Sequence, residues 1–294
     1  MKCFVCGSEM KPFLEKDFGM ENLGKCEYVR CEHCGIVVAK TLYEMPQKQW
    51  EAINYECHSL IFEHNVNYTD IDPKVYERFD IESNFLKELL NHGILKYDCR
   101  TIDYGAGDGK LADLTNSKIG KAWLKKFDAY MKPFGENYLS ADEVKPNSFD
   151  FLITTSVFEH LLGNRRDVDK VIGLLNSDGV MALNLFVCEE MPDDPSWFYY
   201  IPVHCIFWTN KAMSIIYKKF GFKGCMYNVE ACMWFMFRNA DDFERLKSVA
   251  DKLTGTLVFD ENFVEYWKIK PKVSDFSVEN STVARILETL KSKK

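Results

Sequence analysis

Four cysteines in two short pairs, and a glycine turn behind an acid, carry most of the chemistry legible in this chain. Cys3/Cys6 and Cys31/Cys34 are CxxC pairs with 24 residues between them. Each such knuckle turns two thiolates toward one point, and two knuckles complete a tetrahedral four-cysteine site for structural zinc, with Zn–S near ~2.3 Å. Gly7 and Gly35 follow the second cysteine of each pair, where a tight turn aims backbone N–H groups at sulfur. A redox dithiol would need a strand-and-helix setting that neither pair has, and disulfides are unexpected in a reducing compartment. Cys26 and His33 are spare donors nearby. Cysteines 57, 99, 188, 205, 225 and 232 are dispersed and read as buried apolar residues.

The second feature is Thr101-Ile102-Asp103-Tyr104-Gly105-Ala106-Gly107-Asp108-Gly109, an acid followed by three alternating glycines. Without Cβ atoms, such a turn lets a ligand approach the main chain closely. A dinucleotide fingerprint, GxGxxG, leads a pyrophosphate onto a helix N-terminus. Here the third glycine comes one residue early, which counts against NAD.

The DxGxGxG form resembles motif I of the class I S-adenosylmethionine (SAM)-dependent methyltransferases, and the resemblance extends over roughly residues 95 to 240. Asp128 closes a strand candidate 23 residues after Gly105. Asn147-Ser148-Phe149-Asp150-Phe151-Leu152-Ile153 and Val157-Phe158-Glu159-His160-Leu161 are similar to a later strand and turn of that family. Val180 to Phe186 after Ser177-Asp178-Gly179, His204-Cys205-Ile206-Phe207-Trp208-Thr209, and Gly221-Phe222 resemble further family features. The resemblance implies that Asp103, Gly105, Ala106 and Gly107 lie beside the methionine part of SAM. It implies that Asp128 accepts from the ribose hydroxyls, that Ala141 to Glu143 approach adenine with Asp142 facing its amine, and that Thr155 joins the cofactor contacts.

Methyl transfer from a sulfonium is an in-line displacement, so a base is needed only when the acceptor still holds a proton. Histidine suits that task near neutral pH. His160 and His204 each follow a strand at the C-terminal edge of the expected sheet, where open α/β sheets bind ligands. Glu159 could steady a histidine or an acceptor hydroxyl, and it could equally be an ordinary helix-opening acid. Residues 189 to 202 form a long insert containing Trp197, Phe198, Tyr199 and Tyr200, whose rings could stack on a sugar and whose Tyr199 or Tyr200 could donate to the acceptor. The candidate catalytic set is therefore His204, His160, Glu159 and Tyr200. The segment Phe62 to Tyr68 is a weaker candidate for closing over the cofactor.

These groups need a scaffold. Residues 1–44 read as a zinc ribbon of short strands, 45–94 as a helical linker, 95–240 as the SAM-dependent domain and 241–294 as a C-terminal helical extension. The expected fold is α/β, a Rossmann-like sheet of seven strands with the ribbon and helices added. Strand candidates are Thr101 to Tyr104, Ala122 to Phe127, Asn137 to Ser140, Phe149 to Thr154, Val180 to Phe186, Lys223 to Val229 and Cys232 to Phe237. Helices are expected from Pro46, over Pro73 to Asn91, Gly109 to Ser117, Val168 to Leu175 and Lys211 to Phe220, with apolar stripes in the tail at Leu246, Val249 and Leu253 and at Val283, Ile286, Leu287 and Leu290.

Composition fits that scaffold. At 294 residues, with 47% hydrophobic and 28% charged residues, the chain can bury a full core, and no apolar run approaches the ~18 residues of a membrane span. No signal region opens it, so a cytoplasmic protein is expected. A net charge of −7 argues against a phosphate-hugging nucleic-acid binder, despite lysines 118, 121, 125, 126 and the Lys291 to Lys294 tail. The resemblance implies a methyltransferase acting on a small polar acceptor, a hydroxyl of a sugar or sugar nucleotide in surface (capsule) polysaccharide biosynthesis. An RNA methyltransferase using the ribbon for nucleic acid, and a non-catalytic SAM-fold scaffold, are the alternatives.

Overall fold

A computed structural model describes residues 1–62, 73–130, 135–162 and 167–259. Two sheets organise it. In the first, β1 (Met10–Asp17), β2 (Lys25–Cys31) and β3 (Val37–Ala39) run antiparallel in order. Along β2, Lys25 to Tyr28 alternate between exposed and buried, and the alternation shifts at Val29, which is buried next to Tyr28, so that Arg30 is exposed and Cys31 buried. All three residues of β3 are buried, because β3 is not an edge. It pairs antiparallel with β9 (Ile206–Thr209), Val37 opposite Phe207 and Val38 opposite Ile206, and β9 pairs in parallel with β8 (Val187–Cys188). The ribbon thus shares a five-stranded sheet with a much later part of the chain. Side chains repeat the join, since the Thr209 hydroxyl donates to the Cys34 carbonyl and also accepts from Ala212 N–H, capping α6 (Asn210–Lys219).

The second sheet has seven strands. β4 (Thr101–Tyr104), β5 (Lys126–Phe127), β6 (Phe149–Thr155) and β7 (Leu175–Asn184) are parallel. β10 (Gly224–Asn228), β11 (Met233–Phe237) and β12 (Leu257–Val258) complete it with antiparallel pairings. Across the sheet the order is β12-β10-β11-β7-β6-β4-β5. Phe151 and Ile153 of β6 pack on one face with Phe85, Leu86 and Leu89 of α3 (Pro73–Asn91), while Leu152 faces the core that continues into the ribbon through Val37, Ile206 and Trp208. Each such Leu, Ile or Phe contributes roughly 1.5–3 kcal/mol on burial, so the ribbon and the large sheet are held by one continuous apolar interior. α1 (Lys40–Glu44), α2 (Gln47–Phe62), α4 (Lys110–Ile119), α5 (Asp167–Ile172) and α7 (Ala240–Ser248) are the other helices that matter here.

Three expectations change. The strand predicted over Ala122 to Phe127 shrinks to Lys126–Phe127, because the amides of Trp123 and Leu124 donate to Asn116 Oδ1 instead of to a neighbouring strand. Asn137 to Ser140 contributes a single bridge, Tyr138 to Lys126, and the seventh strand is Leu257–Val258. β7 starts at Leu175 and ends at Asn184, not at Val180 and Phe186. Residues 63–68 and the predicted stripe at 283–290 lie outside the described residues. Among the described residues no helix is long and apolar enough to cross a membrane.

Candidate functional site

Both cysteine knuckles fold alike. Gly7 N–H donates to the Cys3 carbonyl at 2.8 Å and Gly35 N–H to the Cys31 carbonyl at 3.0 Å, and both glycines sit at positive φ, 77° and 74°. The turns bring Cys3 Sγ to 3.7 Å from Cys34 Sγ and Cys6 Sγ to 3.4 Å from Cys31 Sγ, with all four sulfurs within 4.8 Å of one another. Bonds of about 2.3 Å in a tetrahedron give edges of about 3.8 Å, so the four thiols stand at the spacing a zinc ion requires. Cys34 N–H points at Cys31 Sγ, 3.5 Å away. None of the eleven cysteines is joined in a disulfide among the described residues.

The glycine turn leaves the C-terminal end of β4. Gly105 has φ 76°, and a Cβ there would stand 2.5 Å from Val157 Cγ2. Gly107 has φ 56° and nothing within 4 Å of a Cβ position, an open face of bare main chain. Asp128, at the end of β5, shapes this turn: its Oδ2 accepts from Gly107 N–H at 3.0 Å and its Oδ1 from Tyr130 N–H at 2.9 Å. A carboxylate only accepts, the property that a pair of hydroxyl donors would need. Tyr104, Phe127, Ala141, Val144 and Val171 line a slot of about 140 Å³ next to this edge. Asp142, on the same turn as Ala141, instead lines a cavity of about 560 Å³ with Arg100, Thr101 and Phe149, at the N-terminal ends of β4 and β6. The structure therefore separates Asp142 from the glycine turn, although it brings Ala141 to the slot.

Behind the turn lies a pair of buried acids. Asp103 is 3% exposed, and its carboxyl is pushed up to about 8, first by burial and then by the charges of Glu82 and Asp128. Glu82 is fully buried and pushed up to about 7 by burial, against the pull of Arg78. Arg78 Nε stands 3.5 Å from Glu82 Oε1, and neither Glu82 oxygen has a hydrogen-bond partner among the described residues. Lys126 is also fully buried, with Nζ donating to Asp113 at 2.8 Å and lying over the Tyr138 ring. Sequence reasoning missed Arg78 and Glu82. The signal was present: 79, 82, 86 and 89 form one helical stripe, and three of them are apolar, so Glu82 is a charge placed on a buried face.

A second cluster gathers at the ends of β6 and the turn before β9. Ligand atoms of Glu159, His160 and His204 lie within 4.8 Å of one another. The two imidazoles meet edge to face at 4.8 Å, and the Tyr199 ring lies 4.3 Å from His204. Tyr199 donates its hydroxyl to Glu159 Oε1 at 3.0 Å, whereas Glu159 Oε2 is buried with no partner among the described residues. Burial pushes this carboxyl up to about 7. The main chain fixes the site too, since the Glu159 carbonyl accepts from Cys205 N–H at 2.7 Å and Ile206 N–H at 3.0 Å. Tyr200 is not part of this group. Its hydroxyl donates to the Pro192 carbonyl at 3.0 Å and its fully buried ring packs on Tyr28 and Phe207, so the neighbouring Tyr199 takes the position expected of it. The two tyrosines lie at a turn closed by Tyr200 N–H donating to the Trp197 carbonyl at 3.1 Å, and sequence could not say which of them faced the histidines. Thr155 ends β6, with a buried Oγ1 that has no partner among the described residues.

Glycine turn, Asp128, and the Glu159/His160 turn all stand at the C-terminal edge of the parallel strands, around the point where chain order reverses between β4 and β6. Together with a mixed sheet of seven strands ending in an antiparallel hairpin, this is a methyltransferase-like α/β fold. Solved structures similar to the chain include a SAM-dependent methyltransferase from Aquifex aeolicus, at 16% identity over 56% of this chain and 92% of that one, TM-score 0.36. Magnesium protoporphyrin IX methyltransferase from Synechocystis, with bound S-adenosylhomocysteine, is similar at 11% identity over 64% and 98%, TM-score 0.40. A Haemonchus contortus phosphoethanolamine N-methyltransferase is similar at 16% identity over 86% of this chain and 55% of that one, TM-score 0.43. No protein-family model and no curated protein matches the chain. At these identities and scores the likenesses decide nothing about activity, and the fold assignment rests on the strand order.

Proposed function

We propose that the protein is a SAM-dependent methyltransferase acting on a hydroxyl of a small polar acceptor, with a structural zinc ion in the four-cysteine cluster. The observation that carries the reading is the pairing of an open glycine turn with buried acids behind it. The raised carboxyls of Asp103 and Glu82 are stabilised in their ionised form by a ligand that brings positive charge and donors, whereas a pyrophosphate would raise them further. SAM fits, because it supplies a methyl group on a cationic sulfur and carries an ammonium and a ribose diol. Asp103 and Gly107 would hold its methionine part, Asp128 its ribose, and the Tyr104/Phe127/Ala141/Val144 slot its adenine.

On the acceptor side, His204 and His160 are the groups able to take a proton at neutral pH, and Glu159 positions them. Trp197, Phe198 and Tyr199 pack with Phe186 into an aromatic wall next to His204, a surface suited to the apolar face of a sugar ring. We therefore favour a sugar or sugar nucleotide of surface polysaccharide assembly as acceptor. Titration calorimetry with S-adenosylhomocysteine, NAD and ATP tests the cofactor half: micromolar binding of the first alone is expected, and tighter binding of NAD sinks the reading. Incubation with SAM and nucleotide sugars, followed by mass spectrometry, tests the acceptor half.

A further inference from the structure

The Glu159 cluster has features that an acid and two bases brought together for proton transfer do not need. We propose that Glu159, His160 and His204 form a binding site for one divalent transition-metal ion, separate from the four-cysteine cluster and with coordination positions open to oxygen ligands.

Tautomers provide the first argument. His160 Nδ1 lies 3.1 Å from the Val203 carbonyl oxygen, and His204 Nδ1 lies 2.9 Å from the Tyr199 carbonyl oxygen. A carbonyl oxygen only accepts, so in each neutral ring Nδ1 carries the proton and Nε2 carries the lone pair. A ring held through Nδ1–H by a backbone carbonyl, presenting Nε2, is the usual arrangement of a metal-ligating histidine. Two independent histidines adopt it here, from different segments of the chain.

Glu159 provides the second. It is 3% exposed, one oxygen takes the Tyr199 hydroxyl, and the other has no hydrogen-bond partner among the described residues. A buried carboxylate oxygen left unmatched is costly unless a positive charge meets it. Arg78 is near enough to favour the charged form, yet it makes no hydrogen bond to that oxygen. A dication shared with two neutral imidazoles would leave a net charge of one positive unit at the site.

Geometry provides the third. A ring nitrogen of each histidine and a carboxylate oxygen of Glu159 fall within 4.8 Å of one another. Bonds of about 2.1 Å give edges of about 3.0–3.4 Å, so closure around an ion asks each side chain to move by less than about 1 Å. Two imidazoles and one carboxylate suit iron(II), manganese, cobalt, nickel or zinc and are a poor set for calcium or magnesium, which want oxygen. Three protein ligands leave vacant positions, the mark of a site that takes a substrate oxygen and not of a structural one. That last step, an acceptor hydroxyl held on the ion beside the glycine turn, rests on the methyl-transfer reading; the binding of the ion does not. With the ion bound, the two histidines would serve as ligands in place of bases, and the ion would make the held hydroxyl easier to deprotonate.

The test uses full-length protein with the four-cysteine cluster already loaded with zinc. It is titrated with cobalt(II) chloride, desalted and read by elemental analysis and visible absorption. One further equivalent of cobalt is expected, with the weak bands of nitrogen and oxygen ligands and none of the intense charge transfer that thiolates give. Glu159→Gln and the less buried His160→Gln should each weaken that equivalent by more than the ~10- to 100-fold that loss of an outer partner costs, with zinc content and circular dichroism unchanged. Failure of the wild-type protein to bind a second equivalent overturns the proposal, and so does binding that both variants leave intact. S-Adenosylhomocysteine affinity, measured on the same samples, reports separately on the cofactor reading.

Discussion

The two clusters proposed as metal sites are built in opposite ways. Four cysteines close on one another from two copies of the same turn, three of them buried, and leave no position for anything else. Glu159, His160 and His204 come from two unlike loops at the end of the large sheet, and they supply only three ligand groups. Between them runs a continuous mechanical link: Cys34 to Thr209 by a side-chain hydrogen bond, then β3 to β9, then one turn back to His204. The contrast suggests a division of labour in which the closed cluster sets the rigidity that the open cluster needs.

Breaking the closed cluster should have the largest effect. Cys34→Ser removes one ligand of a site whose metal stabilises small domains by ~10–16 kcal/mol in apparent terms. Loss of zinc by elemental analysis, a fall in melting temperature of about 10 °C or more, and loss of methyl transfer are expected together, because β9 loses its neighbour. Retained methyl transfer in a zinc-free protein would show that the ribbon does not support His204.

Asp128→Ala comes next and leaves both clusters alone. It takes away the acceptor that ties Gly107 to the turn after β5 as well as the expected ribose contact. Two hydrogen bonds to a charged group, at roughly 1.5–3 kcal/mol each, sum to about 3–6 kcal/mol, so a Kd for S-adenosylhomocysteine weaker by at least ~100-fold is expected by calorimetry. Zinc content should not change. An unaltered Kd would remove Asp128 from the site.

A smaller effect, in pH dependence, belongs to the buried acids, with Glu159 of the open cluster adding to the same stability slope. Asp103 and Glu82 have folded pKa values near 8 and 7, above their ordinary values, so the folded state holds protons that the unfolded chain releases. Between about pH 4 and 8 stability therefore falls as pH rises, by up to ~1.4 kcal/mol per pH unit for each such group, and levels off above. Binding of a cationic cofactor favours the carboxylate, so affinity should rise from about pH 6 to 8, by at most about tenfold per unit for one proton released. Asp103→Asn should flatten both slopes. Equal slopes in the variant would mean that another group titrates.

How far each region could be read from sequence follows from the same contrast. The four-cysteine cluster and the glycine turn are local, their residues a few positions apart, and CxxC or alternating glycine has few physical uses. Helix α3 was legible from Val75 to Leu90, and its start and end agree with Pro73 and Asn91, since periodicity and caps are local too. What depended on long-range pairing was not legible. Nothing near Val37 indicates that its partner is Phe207, and nothing near Glu82 identifies Asp103 as its neighbour. The stretch 122–127 read as a strand because its apolar residues said so, but the Asn116 side chain, seven and eight residues earlier, took the amides of Trp123 and Leu124.

Adjacent tyrosines give the finest discrimination. Tyr199→Phe removes the hydroxyl that donates to Glu159 Oε1, so it leaves a second buried carboxylate oxygen without a partner and loosens the open cluster alone. Tyr200→Phe removes a hydroxyl bonded to the Pro192 carbonyl in the ribbon-facing core. Each lost hydrogen bond is worth ~1 kcal/mol. In the first variant the expected result is a roughly five-fold fall in kcat together with a fall of a few degrees in melting temperature, because the loss falls on a positioning contact of a buried carboxyl. In the second the expected result is a fall of a few degrees in melting temperature with kcat unchanged. The reverse pattern would place Tyr200 with the acceptor and Tyr199 in the packing, and the division between a rigid closed cluster and a responsive open one would fail at its boundary.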